Sequence, residues 1–356
     1  MNARSLGVLL LLLAVLGGGA LLVRRQTDMQ KPAEAGMLGQ PLLKGLQASQ
    51  IAAIAIRQPK DAITIAKKDD RWVIAERDGF PADFDKVRDF VLKAISLKIG
   101  QAEPIGDKDR ARLLLDASGT AIEFLGADGK PLARFTAGKK YFKAEPENPE
   151  RAIGDGRYVS LPGDERQVIV IADPLTQAST RTADWISRTG FEVEKVKTLD
   201  VRDATGADWK IERAGDNADW KLAGIRGGEK LDISKANAAA YTFARLELAD
   251  VAPKDARPED TGLAKPAIVT ATTFDGLSYT LKLGRLEGDN YYATLAIAGE
   301  PKPEGKDAEE RLKRINGRLP REKALSGYVL LIQKSKLEDI LKKRAELLVK
   351  KEEKKK

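Results

Sequence analysis

Apolar positions along this chain recur at every second residue in some stretches and at every third or fourth in others, and the two rhythms come round twice in the same order. Ile54-Ala-Ile56, Ala62-Ile-Thr-Ile65 and Trp72-Val-Ile74 predict three short strands, the last two joined by the charged turn Lys67-Lys-Asp-Asp-Arg71. A helical period follows, with Phe84, Val87, Val91, Ala94 and Ile95 on one face and Asp83 placed as its cap. The same order returns as Leu199-Asp-Val201, Trp209-Lys-Ile211 and Trp220-Lys-Leu222, and then a helix with Ile233, Ala236, Ala240, Phe243 and Ala244 on one face behind Asp232. In this reading Trp72 answers Trp220.

The match continues through the hairpins. Thr120–Leu125, the turn Gly126-Ala-Asp-Gly129 and Leu132–Phe135 with Gly138 correspond to Ala267–Ala271, Asp275-Gly276 and Tyr279–Leu283 with Gly284. Both turns use Asp-Gly, where a tight hairpin needs a positive φ. Arg157–Ser160 then answers Asn290–Thr294, and Val168–Ile171 answers Tyr328–Ile332. Each copy is predicted to close with a helix, Thr176–Arg188 around Trp185 and Lys334 to about Lys350. The stretch Gly299–Lys323 is an addition to the second copy, reading as an exposed loop with 14 charged residues in 25. The expectation is an α+β protein of two tandem, internally duplicated modules with mainly antiparallel sheets, spanning 48–188 and 189–350.

One segment has neither rhythm. Leu6–Val23 is an uncharged run of 18 residues with nine leucines and three valines, Arg4 before it and Arg24-Arg25 behind it. As a helix it would be roughly 27 Å long, close to the thickness of a bilayer core. It predicts an N-terminal transmembrane anchor over 1–25, followed by a linker at 26–47. A cleaved signal peptide is the rival, with Gly17-Gly-Gly-Ala20 as the cleavage site, but Leu21-Leu-Val23 carries the apolar run past that point. The sequence has no cysteine, which excludes a lipoprotein anchor and suits an exported domain. A short head before a long domain predicts a single-pass protein of the bacterial inner membrane, the lipid bilayer its first partner and the bulk of the chain periplasmic.

Charge narrows the partners. The formal net charge is +8, and Lys336–Lys356 supplies +4 of it, from nine basic and five acidic residues that run into the basic tail 351–356. The rest is nearly balanced and has no basic face interleaved with aromatics, so nucleic acid is not an expected partner. The tail reads as a solvated end, with anionic lipid headgroups as the alternative contact. The absence of histidine removes Ser-His-Asp catalysis, the usual zinc sites and imidazole pH switching.

An N-terminal span, strands that start or end on Trp, the helix after them, Tyr158-Val-Ser-Leu-Pro-Gly163, Val168–Ile171 and Asp184-Trp-Ile-Ser-Arg188 together resemble the domain-of-unknown-function family numbered 4340. The resemblance extends over nearly the whole chain. It implies a bacterial membrane-anchored protein of unassigned activity, linked with ABC-type transport systems related to the gliding-motility exporters. The partners it implies are an ABC permease and ATPase, and it brings no catalytic residues.

The residues themselves offer little chemistry. Gly154-Asp-Gly156 lacks a third glycine and a following helix, and no Gly-Lys-Ser/Thr triplet is present, so no nucleotide loop is expected. Asp69-Asp70 and Asp107-Lys-Asp109 lack calcium-loop spacing. No catalytic, cofactor-binding or metal-binding residue is assigned. Trp72, Trp185, Trp209 and Trp220 read as core, with sugar stacking as the alternative. Tyr291 and Tyr292 are the candidate partner-binding surface, because neighbours in a strand face opposite ways and one of them should be exposed. Three readings follow: a non-enzymatic accessory or scaffold subunit of a transport or envelope-assembly system, a module binding envelope polysaccharide or a small ligand in a cleft between the copies, and a carboxylate-dependent hydrolase. The last requires two acidic side chains facing one pocket, one with a raised pKa.

Overall fold

The computed structural model describes residues 37–142, 154–164, 166–244 and 246–349. The apolar run Leu6–Val23 and the basic tail 351–356 lie outside the described residues. Among the described residues no helix is long and apolar enough to cross a membrane.

The architecture is α+β, with antiparallel sheets dominant and few helices. The strands of the first sheet are β1 (Ala53–Arg57), β2 (Ala62–Lys68), β3 (Arg71–Ile74), β4 (Phe80–Pro81), β5 (Ile99–Pro104), β6 (Thr120–Leu125), β7 (Pro131–Phe142), β8 (Gly154–Ser160) and β9 (Gln167–Ile171). They lie in the order β4-β3-β2-β1-β6-β7-β8-β9-β5. A two-stranded ribbon pairs β10 (Thr189–Phe191) with β14 (Leu246–Glu247). The second large sheet uses β11 (Val196–Arg202), β12 (Asp208–Glu212), β13 (Lys221–Leu222), β15 (Asp250–Val251), β16 (Ala267–Thr273), β17 (Leu277–Glu287), β18 (Asn290–Gly299) and β19 (Leu330–Gln333). Its order is β13-β12-β11-β16-β17-β18-β19-β15. Alternation in the sequence becomes one buried face: Ile122 and Phe124 on β6, and Leu277, Tyr279, Leu281 and Leu283 on β17, are buried while their neighbours are not. Both Asp-Gly turns form as read, with Gly129 at φ 74° and Gly276 at φ 86°.

The helices are α1 (Phe84–Ser96), α2 (Asp107–Arg112), α3 (Ile233–Tyr241), α4 (Pro258–Thr261) and α5 (Ala308–Ala324). Asp83 Oδ1 accepts from the N–H groups of Asp85 and Lys86 at 3.1 and 3.4 Å, and Asp232 Oδ1 from those of Ser234 and Lys235 at 3.1 and 3.3 Å, so both predicted caps are made. The buried face of α1 is Val87, Phe90, Val91 and Ala94, whereas Phe84 is exposed. α3 buries Ala236, Ala239 and Ala240.

Two predicted elements differ. The helix expected over Thr176–Arg188 is one 3-10 turn, Thr182–Asp184, and the one expected from Lys334 is two short turns, Lys334–Lys336 and Arg344–Leu347. Their carbonyls are engaged elsewhere. Trp185 O accepts from Asp83 N–H at 2.7 Å and Ile186 O from Lys86 Nζ at 2.7 Å; Leu347 O accepts from Asp232 N–H at 2.9 Å and Leu348 O from Lys235 Nζ at 3.3 Å. Each turn straps the start of a helix, and those bonds replace the i−4 ladder that would have extended it. Conversely, the charged stretch Gly299–Lys323 is not a loop, because α5 occupies most of it. Its inward stripe is Arg311, Ile315, Leu319 and Glu322. Two of those four are charged, which conceals the helical period in the sequence, and the ion pair Glu310–Arg314 at 3.0 Å adds support outside.

The described residues form two compact units, one holding those of 37–62 and 88–180, the other those of 63–87 and 181–349. Within the second, the Trp185 strap and an edge-to-face contact of Phe80 with Tyr328 at 4.8 Å hold the Ile63–Val87 segment, which the sequence reading places in the first module.

Candidate functional site

In the second unit the end of β12, the start of β13 and the outer face of α3 border an open cleft of about 470 Å³. Its apolar wall includes Val193, Val196, Ala240 and Ala244; its polar groups are Lys195, Arg213, Asn237 and Tyr241, around the edge of Trp220. Asp232 starts α3 at a fixed residue, and the helical repeat then sets Asn237 and Tyr241 one turn apart on the same exposed side. Trp220 is buried and its Nε1–H donates to Asn237 Oδ1 at 2.9 Å.

Arg213 fills the space beside the ring. Its guanidinium carbon is 4.8 Å from the Trp220 centroid and 5.9 Å from that of Phe274. Nε donates to Val196 O at 2.7 Å, one terminal nitrogen to the carbonyl of Asp216, and the other to Asp216 Oδ1 at 2.8 Å. Lys195 has a left-handed backbone, φ 52°, held by Phe274 N–H donating to its carbonyl at 3.0 Å. Its ammonium stands 3.9 Å from a carboxylate oxygen of Asp216 and 3.9 Å from one of Asp307. The Asp307 carboxyl is held below the usual range, first by its hydrogen bond from Arg311 and further by Lys195. The cleft therefore has cations, amide donors and an aromatic edge, and its neighbouring carboxylates are tied to arginine. Such a lining presents hydrogen-bond donors and positive charge to the cleft.

Of the residues singled out from sequence, Trp185, Trp209 and Trp220 are buried as read and Trp72 is half-buried. Tyr291 and Tyr292 are both half-buried on β18 rather than one in and one out. Tyr292 donates to Glu287 Oε2 at 2.7 Å, a bond that raises the tyrosine's pKa and lowers the glutamate's. Neither borders the cleft. Sequence reasoning missed Lys195, Arg213, Asn237 and Tyr241. The one signal present was a tyrosine four residues after an asparagine on an alanine-rich helix. Among the described residues no group of three His, Cys, Asp or Glu is placed to hold a metal ion.

Fold and cleft define the class: an antiparallel α+β protein of two units, one of which carries a preformed, donor-lined cleft. The family follows from comparison: the chain belongs to Domain of unknown function (DUF4340), whose family model matches residues 72–266, more than half its length. No curated protein and no solved structure matches it.

Proposed function

We propose that this chain is a non-enzymatic, membrane-anchored binding protein of the bacterial envelope, made of two copies of one module. Its bulk is periplasmic and it acts as an accessory subunit to an ABC-type transport or envelope-assembly system. The observation that carries the binding reading is the Trp220 cleft, where a large aromatic side chain, Tyr241, is 78 % exposed above polar groups already fixed by their neighbours. Fixed donors beside an apolar wall suit recognition.

Duplication is supported by register. Pairing Ile65 with Ile74 and Ile211 with Leu222 makes Trp72 and Trp220 equivalent. Pairing Ala137 with Val159 and Leu283 with Ala293 makes Gly138 and Gly284 equivalent. The eight strands from β3 to β5 in the first sheet take the same sequence of places as those from β13 to β15 in the second. Asp83 and Lys86 meet their 3-10 strap as Asp232 and Lys235 meet theirs.

A single-ligand reading is favoured by the same cleft, through Tyr241 and Asn237. The hydrolase reading has less behind it: burial raises the Asp250 carboxyl, but Asp250 does not border the Trp220 cleft. The test is affinity purification of the tagged full-length protein from its own membranes after brief cross-linking. An ABC permease and ATPase enriched over an anchor-only control is the expected result; no specific protein would overturn the accessory role.

A further inference from the structure

We infer that the Trp220 cleft is a binding site for a saccharide bearing a carboxylate, of the uronate type. This rests on the reading of the cleft as a binding site, and not on the transport association. Indole Nε1–H can only donate, so Asn237 must turn its Oδ1 toward Trp220, and its amide nitrogen then has both hydrogens directed away from the indole. That nitrogen makes no hydrogen bond among the described residues. Arg213 uses three of its five N–H groups on Val196 and Asp216, leaving two. The Lys195 ammonium is beyond hydrogen-bond distance of both flanking carboxylates. The unused polar groups of Lys195, Arg213 and Asn237 are thus all donors, and two of the three are cationic. Such a set selects an acceptor-rich, anionic group.

The ring requirement comes from Tyr241. Its exposed face on α3 is a flat apolar plate with a polar tip, suited to the C–H face of a pyranose whose hydroxyls turn toward the donors. The volume, about 470 Å³, falls inside the range of small-molecule sites. Lys195 adds an independent sign. A left-handed lysine is strained where glycine would not be, and strain of this kind gathers at ligand clamps. Counting from the equivalent caps Asp83 and Asp232, the first module has Arg88 and Leu92 where the second has Asn237 and Tyr241. Arg88 is engaged with Asp89 at 2.9 Å. The shared fold therefore does not require the pair at 237 and 241.

The test is calorimetric titration of the full-length protein in lipid nanodiscs with a galacturonate trisaccharide, the matching neutral trisaccharide, inorganic phosphate and an acidic peptide. The galacturonate is expected to bind, and the neutral sugar to bind at least about tenfold more weakly. Asn237→Asp keeps the acceptor for Trp220 while removing both donors, and Tyr241→Ala removes the plate; each should weaken galacturonate binding by about tenfold or more with the thermal midpoint unchanged. Arg88→Ala in the first module should leave it unaltered. Absence of saccharide binding, equal affinity in the Asn237→Asp and Tyr241→Ala variants, equal affinity for the neutral sugar, or tighter binding of phosphate or the peptide would each overturn the inference. A Tyr241→Ala protein that loses the sugar yet still co-purifies with permease and ATPase separates this inference from the accessory role.

Discussion

Gly138 and Gly284 are glycines because a carbonyl occupies the place of a side chain. A Cβ on Gly138 would lie 2.2 Å from Leu113 O, just past the end of α2, and one on Gly284 would lie 2.2 Å from Thr261 O at the end of α4. Both contacts are to backbone, which cannot swing aside, so Gly138→Ala and Gly284→Ala should each cost about 1–3 kcal/mol. Gly215→Ala, with nothing within 4 Å of its Cβ, should be near neutral; denaturant midpoints compare the three. Asp250 gives a second prediction. Burial raises its folded pKa above the unfolded one, so its contribution is fully present below the unfolded pKa and is lost as pH rises through the folded value. Asp250→Asn should therefore raise the thermal midpoint at pH 7 and leave it unchanged in acid below the unfolded pKa. An unchanged midpoint at neutral pH would refute the burial argument.

The short straps do more than their length suggests. Arg344 forks onto Glu229 at 3.0 and 2.8 Å and also donates to Gly224 O at 2.9 Å, tying the last described turn to the loop before α3. The hydrogen bond from Arg344 is the main reason the Glu229 carboxyl is lowered to about 2. A depressed folded pKa gives stability that is present above the ordinary value near 4.5 and lost as pH falls toward 2. Glu229→Gln should lower the thermal midpoint at neutral pH, with the gap to the parent closing on acidification toward pH 2. A gap that persists in acid would mean packing, rather than charge, is what the substitution removed. α5 shows the same economy in the core. Its Glu322 accepts from Tyr279 Oη at 3.1 Å and from Glu192 N–H at 3.0 Å, with Arg318 3.3 Å away. These are partners a buried carboxylate needs.

For the molecule as a whole, the strap at Trp185 decides where the chain can be divided. The compact unit boundary falls after Thr180, but Asp83, which caps α1, and Lys86 within it donate to carbonyls of Trp185 and Ile186. A fragment of residues 37–188 should melt cooperatively, whereas 37–180 should melt at a distinctly lower temperature or not cooperatively, as followed by far-ultraviolet circular dichroism. Identical melts would show that the strap contributes nothing to folding.

Most of the longer strands, the two Asp-Gly turns and the two Asp caps could be read directly from residue order, since each depends on a period or on a backbone preference inside a few residues, whereas β4, β5, β10, β14 and β15 could not. The buried tryptophans were legible for the same reason. The helices expected at Thr176–Arg188 and after Lys334 were not, because partners about a hundred residues away, Lys86 and Lys235, claim carbonyls that a local reading gives to the helix. α5 hid because its inward stripe contains Arg311 and Glu322, which are acceptable in a core only once Asp275, Arg318 and Tyr279 surround them. The cleft was hidden for a further reason. Lys195, Arg213, Asn237 and Tyr241 are ordinary surface residues one by one, and only the packing of β12 and β13 against α3 brings them around Trp220. The sequence by itself determined the long strands, the two Asp-capped helices and their order; tertiary structure alone decided where the remaining helices form, which buried charges meet and where donors converge, because those depend on contacts between distant positions that no local period encodes.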